Sequence, residues 1–211
     1  MQLNNDQVLY WNSFYSDPKL QFPGNDGFLS NWIDELKDAN RIVDLGCGNG
    51  VNTLFLKECG IRTIACDFSE PALELLLERI PDADVLLFDM RDGLPFISNY
   101  VDAVIADLSL HYFSASETKT IVNEIRRILT PDGLFLCRVN ALDSSMSFQG
   151  FREIEKDYYE INGCKKRFFT TKTLAEMMNG FTIRALSEQE TGKYRMSKKT
   201  IVCEAYKDTE Y

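Results

Sequence analysis

Four aspartates stand where short apolar runs stop: Asp44 inside VDLGCGNG (43–50), Asp67 after IAC, Asp89 after DVLLF and Asp107 after VDAVIA. Three glycines, Gly46, Gly48 and Gly50, follow the first aspartate in a G-x-G-x-G spacing. Glycine lets backbone approach a bound molecule with no Cβ in the way. A helix that starts there offers unpaired N–H groups and a positive dipole end, suited to a carboxylate or phosphate. A carboxylate such as Asp67 can accept from both vicinal hydroxyls of a ribose, and Asp89 repeats the placement. Four carboxylates at one rim disfavour a pyrophosphate and favour a ligand that carries positive charge. The spacing also departs from the G-x-G-x-x-G of dinucleotide sites, which weakens a hydride-transfer reading.

Other residue types suit an acceptor side. His111, the sole histidine, follows the fourth apolar run in ADLSLHYF and could take a proton near neutral pH; a buried histidine bonded under the next loop fits as well. Arg138 and Asn140 close the fifth run, GLFLCRVN; the arginine suits an anionic group, and both could instead support neighbouring side chains. Tyr10, Trp11, Phe14 and Tyr15, with Tyr158 and Tyr159, could form a lid that excludes water, or could simply pack. Cys47 reads as a small packed residue, since nothing beside it favours a thiolate. Six scattered cysteines without a C-x-x-C pair, and one histidine, give neither a metal site nor a disulfide framework.

The elements that position these residues follow from the alternation of apolar runs and helical patterns over 41–139, the signature of βαβ units around a parallel sheet. Strands are expected at 41–45, 61–66, 84–88, 101–106 and 133–139, with helices at 50–58, 70–79 and 115–129. Ser114 and Glu117 form an S-x-x-E capping box, Ser69 precedes Glu70–Pro71 at a first turn, and Pro131-Asp132-Gly133 makes a turn into the fifth strand. In a parallel sheet the C-terminal strand ends share one crevice, so the aspartates and glycines converge. Upstream, 5–15 and 26–38 read as amphipathic helices separated by DPKLQFPGN. Downstream come an aromatic-rich insertion at 142–170, a helix at 172–178, and strands FTIRALSEQ and TIVCEAYK, expected to pair antiparallel.

The length of 211 residues without a linker implies one domain: cap helices (1–39), a binding core (40–141), an insertion that acts as lid or acceptor wall (142–170) and a terminal helix with a strand pair (171–211). A net charge of −9 and a pI near 4.7 argue against a nucleic-acid partner. Against that average run Lys165-Lys166-Arg167 and Lys193/Arg195/Lys198/Lys199, which could meet an anionic acceptor or be solvated loop charge. Neither a secretory signal nor an apolar stretch of ~20 residues is present, so a cytoplasmic protein without membrane contact is expected.

VDLGCGNG, CDFSE, FDMRDGLPF, VDAVIADLSLHYF and RILTPDGLFLCRVN, in this order across about residues 40–140, resemble the motifs of class I S-adenosylmethionine-dependent methyltransferases. CGNGVNTLFL and the short terminal strands are similar to small tellurite-resistance-type bacterial members. The resemblance implies a Rossmann-like α/β fold with a seven-stranded, mostly parallel sheet, order 3-2-1-4-5-7-6, its last strand antiparallel. It implies S-adenosyl-L-methionine as cofactor, with S-adenosyl-L-homocysteine as product. Asp44, Gly46, Cys47, Gly48, Asn49 and Gly50 would wrap its methionine and ribose, and Asp67 would hold the ribose hydroxyls. Phe68 would flank the adenine, while Asp89 and the Met90 N–H would meet its polar edge. Carbonyls at Ala106 to Leu108, Asp107 between them, would receive the ammonium group, and Asn52 could reach the carboxylate. The expected reaction is in-line methyl transfer to a small molecule by a monomer or homodimer. The competing readings are a nicotinamide-dependent oxidoreductase and a binding module without catalysis. No Asn/Asp-Pro-Pro-aromatic signature of base amino methylation follows strand four.

Overall fold

The apolar runs at the centre of the core become short strands buried on both faces, as a helix-covered parallel sheet demands, whereas the run at 84–87 forms a largely exposed edge strand. The computed structural model describes residues 5–19, 24–143, 147–192 and 198–209. In chain order these form α1 (Asn5–Tyr15), a 3-10 turn (Ser30–Trp32) leading into α2 (Ile33–Asp38), β1 (Ile42–Leu45), α3 (Val51–Glu58), β2 (Ile64–Asp67), α4 (Glu70–Arg79), β3 (Asp84–Leu87), β4 (Val101–Asp107) and α5 (Ala115–Ile128). There follow β5 (Leu129–Asn140), β6 (Arg152–Glu155), β7 (Tyr158–Ile161), β8 (Cys164–Arg167), α6 (Thr171–Ala175), β9 (Phe181–Thr191) and β10 (Lys198–Lys207).

Seven strands make one sheet in the order β3-β2-β1-β4-β5-β10-β9, parallel from β3 to β5, with β10 antiparallel to both its neighbours. Counting only these seven strands, this is the expected 3-2-1-4-5-7-6 order of a Rossmann-like methyltransferase sheet. Strand alternation sorts the core into two layers. Val43, Leu45, Val104 and Phe135 face Ile121, Val122 and Ile125 of α5, whereas Ile42, Ile105, Leu134 and Leu136 face Leu36 of α2 and Leu56 of α3. Each such side chain contributes roughly 1.5–3 kcal/mol through burial. α5 starts at the expected capping box: the Ser114 hydroxyl accepts from the Glu117 N–H at 3.2 Å, and the Glu117 carboxylate accepts from the Ser114 N–H at 2.8 Å. Ser69 takes the N-cap of α4 without a side-chain bond to its helix.

Four expectations change in detail. The second N-terminal helix begins at Ser30 as a 3-10 turn rather than at 26, because Gly27 takes a positive φ of 78° that ends helical geometry there. The Pro131–Gly133 turn lies inside β5, where the pairing with β4 jumps from Val101–Leu129 to Ala103–Leu134 and Asp132 has φ of 59°. The helix expected at 172–178 holds only Thr171–Ala175. The 142–170 insertion contains an antiparallel sheet, β6-β7-β8, that the sequence reading left unassigned. Leu20 to Pro23, in the turn-rich stretch, lie outside the described residues, as do 144–146 in the insertion.

Candidate functional site

The C-terminal ends of β1, β2 and β4 place the glycine turn and three of the aspartates at one rim. The N–H groups of Gly46 and Cys47 donate to the Cys66 carbonyl at 2.8 and 3.0 Å, and the Gly48 N–H donates to Asp67 Oδ2 at 2.9 Å. Asp67 Oδ1 accepts from the Ser69 N–H at 2.9 Å. Burial raises the Asp67 pKa, and the backbone donors from Ser69 and Gly48 work in the opposite direction. Each oxygen keeps a lone pair for a further donor. The turn also requires glycine on steric grounds: at Gly46, with φ of 76°, an added Cβ would lie 2.4 Å from the Ser109 Cβ. At Gly48 the same atom would lie 2.4 Å from the Tyr15 hydroxyl, so α1 closes directly over the turn.

Behind this turn, Asp44 is buried in β1 and accepts from the Thr53 hydroxyl at 2.7 Å, and the Asn49 carbonyl accepts from Arg79 at 3.2 Å. Asn52 donates its amide to Asp107 Oδ2 at 3.0 Å. Burial, then the charges of Asp67 and Asp44, pushes the Cys47 thiol well up, in keeping with a packed residue. The next residue after Asp107, Leu108, has φ of 57° and donates its N–H to the Arg138 carbonyl at 2.8 Å. A left-handed leucine is strained and redirects the chain at the strand end beside Ala106.

The rim is less anionic than its count of aspartates suggests. Asp89 is clamped by the guanidinium and N–H of Arg91. Asp107 receives Arg138 Nε at 2.6 Å and Nη2 at 3.0 Å, and the same guanidinium reaches Asp26 at 2.6 Å and lies 4.4 Å from the Phe28 ring centre. Arg138 is therefore engaged by two carboxylates and ties the segment before α2 to the rim. Neither Arg91 nor Asp26 was selected from sequence. Arg91 leaves a local signal, two residues beyond Asp89; Asp26 is 112 residues from Arg138 and leaves none.

On the acceptor side, His111 lies in a 3-10 turn (Leu110–Tyr112) after β4, wholly buried, with neither ring nitrogen hydrogen-bonded. Burial first, then the charges of Lys198 and Lys166, hold its pKa well below 6.5, against an opposing pull from Asp107. Asn140 is buried at the end of β5, its Oδ1 without a partner.

Three elements close over this turn. Gln7 of α1 donates to the carbonyls of Tyr112 at 3.1 Å and Lys165 at 3.3 Å, and the Tyr158 hydroxyl donates to the Tyr112 carbonyl at 3.0 Å. Arg167 donates to the Phe113 carbonyl at 3.2 Å and pairs with Glu155, which also accepts from the Ala115 N–H. Gln7 and Glu155 went unselected in the sequence because their partners are remote. Under this cover Phe68, Asp89, Arg91, Trp11, Tyr112 and Tyr158 line a shallow groove. Met90 is buried, and its side chain reaches the region in front of Gly46. Tyr10, Phe14 and Tyr15 cluster with Trp11, which meets Tyr112 at 4.9 Å, whereas Tyr159 stacks on Phe148 instead. Of the second basic cluster, Lys193 and Arg195 lie outside the described residues, and Lys199 pairs with Asp143.

In comparison with known proteins, residues 43–137 match a family described as a methyltransferase domain. An uncharacterized chloroplastic methyltransferase of Arabidopsis thaliana is 36% identical over 69% of this chain and 41% of its own length. A probable 18S rRNA (guanine-N(7))-methyltransferase of Dictyostelium discoideum is 30% identical over 46% of this chain and 34% of its own length. The chain thus spans less than half the length of these curated relatives. Among solved structures, a SAM-dependent methyltransferase of Methanosarcina mazei superposes with a TM-score of 0.76 at 19% identity, covering 89% of this chain and all of the other, a likeness of fold.

Proposed function

We propose, for a chain whose residues 43–137 form a methyltransferase domain of the class I, S-adenosylmethionine-dependent kind, that the protein moves a methyl group onto a small molecule. The observation that carries this reading is the glycine turn bonded to Asp67: three positive-φ glycines and a carboxylate with spare acceptor capacity form a cradle that a Cβ would fill. The donor set fits an adenosyl ligand. Gly46 to Gly50, with Cys47 and Asn49 between them, line its ribose and methionine side. Asp67 takes the ribose hydroxyls, Phe68 and the Met90 N–H face the adenine, Asp89 reads its amino group, and the strand end Ala106–Leu108 receives the ammonium. Asp44, through Thr53, and Asn52, through Asp107, support the turn from behind. When bound, the cofactor supplies a methyl on sulfonium sulfur, so that the acceptor's electron pair forms the new bond while the C–S pair leaves on sulfur.

The chain's remaining work is to align the acceptor and exclude water, which supplies roughly 7–11 kcal/mol where alignment is good. Gln7, Tyr158 and Arg167 hold α1 and the β6–β8 sheet over the crevice, a cover suited to a compact acceptor rather than a polymer. No helix among the described residues is long and apolar enough to cross a membrane. We take the acceptor to be met in the cytoplasm and the unit to be a single domain.

Calorimetry tests the reading. S-adenosylhomocysteine should bind the wild-type protein, and Asp67→Ala should weaken that binding at least tenfold while circular dichroism stays unchanged. Undiminished affinity in the variant would remove the ribose assignment, and absence of binding to the wild type would remove the function. Labelled methyl appearing in RNA rather than in small metabolites would move the acceptor to the class named for the Dictyostelium relative.

A further inference from the structure

A buried polar group without a partner marks a place where a ligand, water or ion completes the bonding. Both nitrogens of His111 and Oδ1 of Asn140 are such groups, on a turn and on the strand end packed against it. Charges of both signs act on the imidazole. Lys166 comes from β8 and Lys198 from β10, while from β4 comes Asp107, whose charge Arg138 of β5 already shares. From β7 the Tyr158 hydroxyl is occupied by the Tyr112 carbonyl, and from α1 comes the neutral Gln7. A neutral ring there offers one N–H donor and one lone pair, and it sits where two lysines favour negative charge.

Resting on the methyltransferase reading above, we propose that the acceptor is an oxyanion, a carboxylate or the conjugate base of an acidic enol or phenol, held by the His111 N–H between Lys166 and Lys198. His111 is then a binding residue and takes up no proton. A ring that resists protonation is a poor base, and the nearby lysines lower the acceptor's own pKa, so the acceptor arrives already ionised. Its oxygen lone pair forms the O–CH3 bond, the C–S pair stays on sulfur, and no proton is released. Asn140 Oδ1, itself an acceptor, meets an O–H or N–H elsewhere on the same molecule.

The test starts from a metabolite extract, filtered free of macromolecules and separated by anion exchange at pH 7. Labelled methyl should enter only retained fractions, and the product should elute as though it had lost one negative charge. Because the chain has one histidine, 15N-histidine labelling yields a single imidazole, expected neutral at pH 7 and still neutral below the ordinary 6.5, and shifted when an active fraction is added with S-adenosylhomocysteine. The pair Lys166→Gln and Lys198→Gln should raise the pH at which that imidazole titrates and reduce transfer at least tenfold. His111→Asn, which keeps a donor, should lose about tenfold without altering the pH profile, whereas loss of a base costs about 100-fold or more. Transfer into unretained fractions, or into none while S-adenosylhomocysteine still binds, overturns the proposal, as does an imidazole that is charged at neutral pH. Failure of S-adenosylhomocysteine to bind refutes the methyltransferase reading itself.

Discussion

At the scale of single residues, Arg138 joins two carboxylates from distant parts of the chain at the strand ends. The residue is 4% exposed and its guanidinium spans Asp107 and Asp26, so its removal would leave two carboxylates in poorly solvated surroundings with no cation between them. Breaking a buried pair on one side costs about 3–5 kcal/mol. Arg138→Ala should lower the urea midpoint accordingly, and a loss under 1 kcal/mol would show that water reaches Asp107. The same pair holds the Asp26 pKa down, so its stabilisation is present above the ordinary carboxylate range and lost as pH falls through the lowered value. His111 has its own signature. The unfolded chain takes up a proton near pH 6.5 and the folded ring does not, so acidification below 6.5 favours unfolding by about 1.4 kcal/mol per pH unit until the folded ring also titrates. Above 6.5 the effect is absent. Urea midpoints measured from pH 7.5 to 5 should therefore fall more steeply for wild type than for His111→Gln; parallel curves would mean the ring is protonated in the fold.

At the scale of elements, the sequence showed most where a local rule governs geometry, and least where a long-range contact does. The strands of the parallel core, the α5 capping box and the glycine turn each follow from neighbouring residues. The β6–β8 sheet carries one local signal that the sequence reading passed over: Asn162–Gly163, with φ of 51° and 79°, is a two-residue hairpin turn of the Asn-Gly kind, and it joins β7 to β8. What no local pattern carries is where that sheet docks. Arg167 settles this through the Phe113 and Lys156 carbonyls and Glu155, which in turn accepts from the first N–H of α5. Polar bonds rather than a broad apolar face fix the sheet, so one substitution should loosen it without unfolding the core. Arg167→Ala is expected to raise amide exchange in Arg152–Arg167 at least tenfold and leave β1 and β4 unchanged. Protection lost equally in all strands would mean the insertion and core unfold together. The site was legible to the same degree: glycines and aspartates stood out by spacing, whereas Gln7 and Asp26 act across more than 100 residues and could not.

At the scale of the whole molecule, the question is what draws a cationic cofactor to the crevice. Arginines already sit against Asp89 and Asp107, so a local excess of carboxylate explains less than the aspartate count implies. The net charge of −9 acts over a longer range. Such a field is screened by salt, with a Debye length near 10 Å at 0.1 M and 3 Å at 1 M, whereas contacts inside a closed crevice are screened far less. S-adenosylmethionine and S-adenosylhomocysteine differ in the methyl and in the sulfonium charge, so their comparison isolates the electrostatic part. If the surface field supplies the attraction, raising ionic strength from about 0.05 to 0.5 M should weaken S-adenosylmethionine binding severalfold and S-adenosylhomocysteine binding less than about twofold. Equal, small losses for both would place the recognition of positive charge in the buried rim after all, and would identify Asp67, whose oxygens accept from the Gly48 and Ser69 N–H groups, as the residue to substitute next.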